Sequence, residues 1–234
     1  MSKVFLTAEW RNLILITYKI PTDILTPHLP KGIEPDTING EAFASLVAFD
    51  FLNTKVKGVK IPFHVNFPEI NLRFYVREIE SKRRGVVFIR EFVPKYFIEL
   101  VADNVYNEPY KNIPMKSSVT KNGTVRVEHE IEFENNEYSI SLEAENKPNL
   151  PGEDSTEHFF KEHSWGYGTN KNGETLVYRV DHPFWDVYPV IKYEHNFDFA
   201  KIYGEKWSFL NQEDPYSIIL AEGSEIKVYS HTIL

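Results

Sequence analysis

Between Val125 and Ala144 the chain alternates apolar and polar residues on both sides of a four-residue break. Val125, Val127, Ile131 and Phe133 precede Glu134-Asn135-Asn136-Glu137, and Tyr138, Ile140, Leu142 and Ala144 follow it. A period of two marks a strand, because successive side chains leave opposite faces. Two such runs about a short polar break make a hairpin, and the two Asn tolerate the positive φ that tight hairpin turns require. The charged partners face water, so the hairpin is covered on one side only.

Strand signals dominate the rest of the chain. Asn12–Ile20, Ala42–Leu52, Asn66–Ile79 and Gly85–Val93 are apolar or alternating runs rich in β-branched and aromatic residues. The 34 aromatics, 15% of the chain, fit the same pleated, half-buried surfaces. Further hairpin turns are expected at Asn170-Lys171-Asn172-Gly173 and at Glu222-Gly223-Ser224, the latter joining Tyr216–Ala221 to Glu225–His231. Helical signals are few: a turn over Thr22–Leu29, a helix over Lys95–Tyr106 with Phe97, Val101 and Val105 on one face, and a helix over Ser155–His163 started by Asp154 and Glu157. The strands and helices do not alternate as a doubly wound sheet requires. The expected fold class is α+β and mostly antiparallel, a large sheet curled toward a cone-like β-barrel with a few short flanking helices. Asn146–Ser155, broken by Pro148, Pro151 and Gly152, reads as a loop inside one unit, so residues 1–234 are expected to form a single domain.

Charge and composition remove several functions. A formal net charge of −8 lacks the basic footprint of a nucleic-acid binder. With no cysteine there is no disulfide, no thiolate nucleophile and no cysteine-held metal. Glu9 and Arg11 interrupt any signal-peptide pattern, and no run approaches the ~18–20 apolar residues of a spanning helix. A cytoplasmic protein with no membrane partner is expected. Gly166-Tyr167-Gly168 lacks the third glycine of a dinucleotide loop, and no G-x-S-x-G elbow occurs. His158 and His163 are five apart, about 140° around a helix, so no metal site is expected. Lys82-Arg83-Arg84 reads as a solvated turn.

Charged residues embedded in an apolar strand mark the best candidate site. In Phe67–Arg77, residues Glu69, Asn71, Arg73, Tyr75 and Arg77 share one face, and Ile70, Leu72, Phe74 and Val76 the other. On an open sheet the charged row faces solvent. In a closed ring it lines an interior, where a Glu–Arg pair can hold a small anion or orient a carbonyl. Arg90 is a candidate neighbour, with an ordinary cross-strand ion pair as its plain alternative. Two Pro-bracketed clusters follow: Asn107–Met115, with Tyr110 and Lys111, and Asp181-His182-Pro183-Phe184-Trp185. A rigid turn and an aromatic plug over the core are their plain readings.

Taken in order, these segments resemble a known family. Ile16-Thr17-Tyr18-Lys19, then Thr22-Asp23-Ile24-Leu25 and Leu29–Asp36, are similar to the N-terminal part of acetoacetate decarboxylase-like proteins. Glu69-x-Asn71-x-Arg73-x-Tyr75-Val76, Pro109-Tyr110, Phe159–His163, His182–Trp185 and Asp214–Ser217 resemble the uncharacterised YqjF-like branch of that superfamily. The resemblance spans nearly the whole chain and rests on the order of short motifs. It implies a cone-like antiparallel barrel with flanking helices and a polar internal cavity. In true acetoacetate decarboxylases a Pro precedes two lysines: the first forms a Schiff base and the second lowers its pKa by like-charge repulsion. Here Tyr110 holds the first position and Lys111 the second, and neighbouring side chains of an extended segment point to opposite faces. Lys19 stands where the family has Arg, keeping charge but losing the bidentate fork.

The expected function is binding of a small carboxylate or carbonyl compound, without a cofactor and without classical Schiff-base decarboxylation. Arg73 and Arg90 would hold the anion, Tyr75 and Tyr110 would donate hydrogen bonds, and Glu69 would orient the ligand or exchange protons. The alternatives are a lyase using Lys111 as its amine, or a non-enzymatic protein with a degenerate site that forms a homo-oligomer through Phe184, Trp185 and Tyr188.

Overall fold

The computed structural model describes residues 3–94 and 110–234. Among them are strands β1 (Val4–Ile20), β2 (Ile33–Pro35), β3 (Ala42–Val56), β4 (Phe67–Glu78), β5 (Arg84–Val93), β6 (Tyr110–Asn112), β7 (Met115–Asn122) and β8 (Thr124–Phe133). They continue with β9 (Asn136–Glu145), β10 (Trp165–Thr169), β11 (Thr175–Asp181), β12 (Val187–Tyr188), β13 (Val190–His195), β14 (Ser217–Tyr229) and β15 (Thr232–Ile233). The expected helix over Lys95–Tyr106, and Pro109, lie outside the described residues.

The strands form an 11-stranded sheet and a 4-stranded sheet. In the larger one the order β14-β1-β3-β4-β5-β10-β11 returns to β14 through Val180↔Val228 and Asp181↔Lys227, so the pairings close into a ring. Most pairings are antiparallel, and β5 pairs in parallel with both β10 and β6. The smaller sheet, β13-β9-β8-β7, contains the hairpin of Val125–Ala144. Its buried residues Val127, Ile131, Ile140 and Leu142 share one core with Ile16, Leu46, Leu72 and Phe74 on one face of the ring sheet. Leu15, Val47, Tyr75 and Phe160 form a second core on the other face. The fold class thus matches the sequence: mostly antiparallel β, with few and short helices among the described residues, Thr22–Leu25, Thr156–Lys161 and Phe199–Tyr203.

Four local expectations change. The hairpin turn places Glu134 (φ 51°) and Asn135 (φ 62°) in the left-handed region, and Asn136 is already the first residue of β9. β1 begins at Val4, well before Asn12, because Asn12 (φ 56°) is a bulge. Arg11 pairs with Asp50 and Ile14 with Ala48, one more residue on β1 than on β3, so the face phase inverts there. Glu222-Gly223-Ser224 is not a turn: β14 runs unbroken from Ser217 to Tyr229 beside β1. Gly223 (φ 81°) kinks the strand where it passes β1, and the signature of a glycine turn is that of this kink too. Finally, Trp185 and Tyr188 are buried at 2% and 4% exposure, so the aromatic surface expected at Phe184, Trp185 and Tyr188 reduces to Phe184. No helix among the described residues is long and apolar enough to cross a membrane.

One consequence concerns acid. His129, in the small sheet, and His163, after the helix Thr156–Lys161, are both buried. Burial pushes His129 down to about 4 from 6.5, against a weak pull from Asp50. Burial also holds His163 well below 6.5, helped by the charges of Arg84 and Arg73. Below about pH 6.5 the unfolded chain therefore takes up protons that the folded one refuses, so stability is full above that pH and falls as the pH drops. The melting temperature should decline between about pH 7 and pH 4, and His129→Gln should flatten part of the decline. A melting temperature independent of pH in that range contradicts this placement of the two histidines.

Candidate functional site

Each strand of the ring contributes to the wall of one internal cavity of about 120 Å³. Most of that wall is apolar and aromatic, including Trp10, Phe49, Phe51, Phe67 and Phe88. Its polar residues are Glu69, Asn71 and Arg73 from β4, Glu91 from β5, Tyr110 from β6, Tyr178 from β11, and His163. Glu69, Asn71 and Arg73 of the expected row therefore line an interior rather than solvent, although the interior is less polar than the family resemblance implies.

The row is divided by what each side chain meets. Asn71 Nδ2 donates to Glu69 Oε1 at 2.9 Å, and Tyr110 OH donates to Glu69 Oε2 at 3.3 Å. Glu69 is 2% exposed and Asn71 1%. Asn71 Oδ1 has no hydrogen-bond partner, and neither ring nitrogen of His163 has one. Arg73 donates from Nη2 to the Phe160 carbonyl at 3.4 Å, its Nε has no partner, and it makes no ion pair among the described residues. Glu69 and Arg73 are therefore not the ion pair that the spacing allowed.

Tyr75 is placed elsewhere. It lies beyond Arg73 on the same face, where Phe160 of the helix Thr156–Lys161 closes in, ring centroids 5.1 Å apart. Its hydroxyl is 2.5 Å from Ser45 Oγ, which is 2.6 Å from Thr17 Oγ1, all three buried. Tyr75 thus closes a hydroxyl chain across β1, β3 and β4 and is not part of the cavity wall. Arg77, at the end of the row, pairs with Glu34 at 2.8 Å.

Arg90 and Lys111 also leave the site. Along β5 the register runs Arg73↔Phe88 and then Leu72↔Arg90, so Ile89 is an extra residue. The bulge inverts the face: Val86 and Phe88 face the cavity before it, and Glu91 after it. Arg90 consequently opposes Leu72 on the outer face and donates from Nη1 to the Ile202 carbonyl at 2.5 Å. Lys111 follows Tyr110 on β6, is exposed, and places Nζ 4.3 Å from the centre of the Phe133 ring, in an external groove shared with Arg90 and Lys201. Of the six residues expected at the site, Glu69, Arg73 and Tyr110 are brought together. Glu91 and His163 were missed as wall residues. The buried charge of Glu91 was visible in Phe88-Ile89-Arg90-Glu91, but its face depends on a bulge that the strand's own sequence does not mark. No group of three or more His, Cys, Asp or Glu that could hold a metal occurs among the described residues.

A curled, mostly antiparallel ring around a cavity entered by β4, β5 and β6 is the acetoacetate decarboxylase-like fold. The acetoacetate decarboxylase of Legionella pneumophila superposes with a TM-score of 0.69 at 13% identity, over 98% of this chain and 87% of that one. The enduracididine biosynthesis enzyme MppR, solved in complex with pyruvate, gives 0.68 at 11% identity, over 100% and 91%. An acetoacetate decarboxylase-like enzyme from Sphingomonas wittichii gives 0.66 at 11% identity, over 99% and 94%. The chain belongs to the DUF2071 family, described as an uncharacterized conserved protein, whose model matches residues 7–225. It is also 30% identical over 115 residues to the uncharacterized protein YqjF of Bacillus subtilis, a match covering 49% of this chain and 46% of that one, so the aligned stretch spans about half of the relative. The family model and this relative agree with the YqjF-like resemblance read from the order of motifs, and the solved structures agree with the fold that it implies.

Proposed function

We propose that the ring cavity binds a small carboxylate that also carries a carbonyl group, and that it does so without forming a Schiff base. The observation that carries this reading is Arg73: a guanidinium on the cavity wall, its Nε unpartnered, with no carboxylate paired to it among the described residues. A buried or half-buried guanidinium without a counter-ion is costly, and a ligand carboxylate answers it with a bidentate, charge-assisted contact. The carbonyl end then lies toward Glu69 and Tyr110, where Glu69 is placed to exchange a proton on the carbon beside the carbonyl. That a structural neighbour is solved with pyruvate supports the ligand class.

The Schiff-base alternative needs an amine at the cavity. Among the described residues no lysine lines it, and Lys111 sits on the outer face. Incubation with acetoacetate followed by borohydride should therefore leave Lys111 without added mass. In melting experiments pyruvate and acetoacetate should raise the melting temperature, while acetone, which has the carbonyl but no carboxylate, should not. A reduced adduct on Lys111, or no response to either acid, contradicts the proposal.

A further inference from the structure

Building on the proposed carboxylate site, we infer that its ligand carries an apolar tail of about three to four carbons beyond the carbonyl, seated on the aromatic wall, and that pyruvate is too short to use the cavity well. The inference comes from what stands beside each polar residue. Arg73 has Phe88 as its cross-strand partner on β5, and Glu69 has Phe49 as its partner on β3. Side chains so paired lie about 5 Å apart, so a ligand held by Arg73 and Glu69 meets ring faces from its first methylene onward.

The wall beyond is built of rings that support one another. Trp10 meets Phe49 at 5.4 Å and Phe51 at 5.9 Å edge to face, and Phe51 stacks on Phe67 at 4.8 Å and 17°. These contacts fix the rings yet leave a cavity between them and the polar strip of β4. A two-carbon acid group would fill the Arg73 end and leave those faces against water or empty space, forfeiting both burial and dispersion contacts. The polar end favours a ligand or ordered water over a packing defect. Asn71 Oδ1 and both nitrogens of His163 are buried, unpartnered and on the same cavity wall, whereas cavities left by imperfect packing are lined by apolar groups.

Titration calorimetry of the whole protein with pyruvate, 2-oxobutanoate, 2-oxopentanoate and 4-methyl-2-oxopentanoate tests this. Each added methylene should tighten Kd about three- to fourfold, with an increasingly negative heat-capacity change. A series in which pyruvate binds but Kd stays level or worsens with length overturns the tail and leaves the carboxylate site standing. A series in which no member binds overturns both.

Discussion

Replacing Gly223 by alanine is expected to destabilise the protein by about 3 kcal/mol or more, the largest single effect outside the apolar cores. Two independent costs coincide at this position. Its φ of 81° lies in the left-handed region, which a Cβ disfavours by about 1–2 kcal/mol. The added Cβ would also stand 2.0 Å from the Trp10 carbonyl oxygen and 2.7 Å from Leu13 Cδ1. Backbone of β1 cannot yield without opening the β1–β14 ladder, which pairs Arg11 with Gly223 and Leu13 with Ala221. Because Trp10 and Leu13 both line the cavity, the variant should lose ligand response along with stability. Gly152→Ala is the control, since nothing lies within 4 Å of its Cβ and its backbone is not left-handed. Chemical denaturation of both should show a large loss for Gly223→Ala and a change of a few tenths of a kcal/mol for Gly152→Ala. Equal stabilities would contradict the left-handed backbone at Gly223 and its close passage against Trp10.

The second large effect is on binding. Arg73→Met should weaken a small keto acid by about 2 kcal/mol or more, roughly thirtyfold in Kd, because the acid's carboxylate is left buried without its partner. The fold should tolerate the change, since Arg73 makes a 3.4 Å bond to the Phe160 carbonyl and a 6.0 Å contact with the Tyr75 ring, and no ion pair among the described residues. Arg73→Lys should fall between, keeping charge but losing the fork. Arg90→Met, by contrast, should leave affinity unchanged, because the bulge at Ile89 turns Arg90 to the outer face. Affinity lost through Arg90 rather than Arg73 would place the anion in the external groove beside Lys111 and Lys201.

How much of this was legible in the sequence depends on whether the information is local. The hairpin from Val125 to Ala144 and the row from Glu69 to Arg73 are local, and alternation alone placed their faces. Tyr110 and Lys111 were legible as neighbours of an extended segment, and of the two only Tyr110 reaches the cavity, while both border the external groove. Faces were lost at the bulges. Asn12 hid the first half of β1, and Ile89 exchanged Arg90 for Glu91, because an extra residue is defined only against a partner strand. Tyr75 shares its face with Arg73, yet the hydroxyls of Ser45 and Thr17 and the ring of Phe160 take it up, contacts that span 28 residues and more. Trp185 and Tyr188 carry the composition of an interface and the burial of a core, a distinction that only the packed ring makes.

The central claim is that the ring cavity receives a carboxylate at Arg73 without covalent attachment. A crystal structure of the protein with 4-methyl-2-oxopentanoate tests it most directly. The expected result has the carboxylate within hydrogen-bond distance of both terminal nitrogens or of Nε and one terminal nitrogen of Arg73, the carbonyl toward Glu69 and Tyr110, and no bond to any lysine. An empty cavity at saturating acid, or the acid bound covalently or beside Lys111, would contradict it.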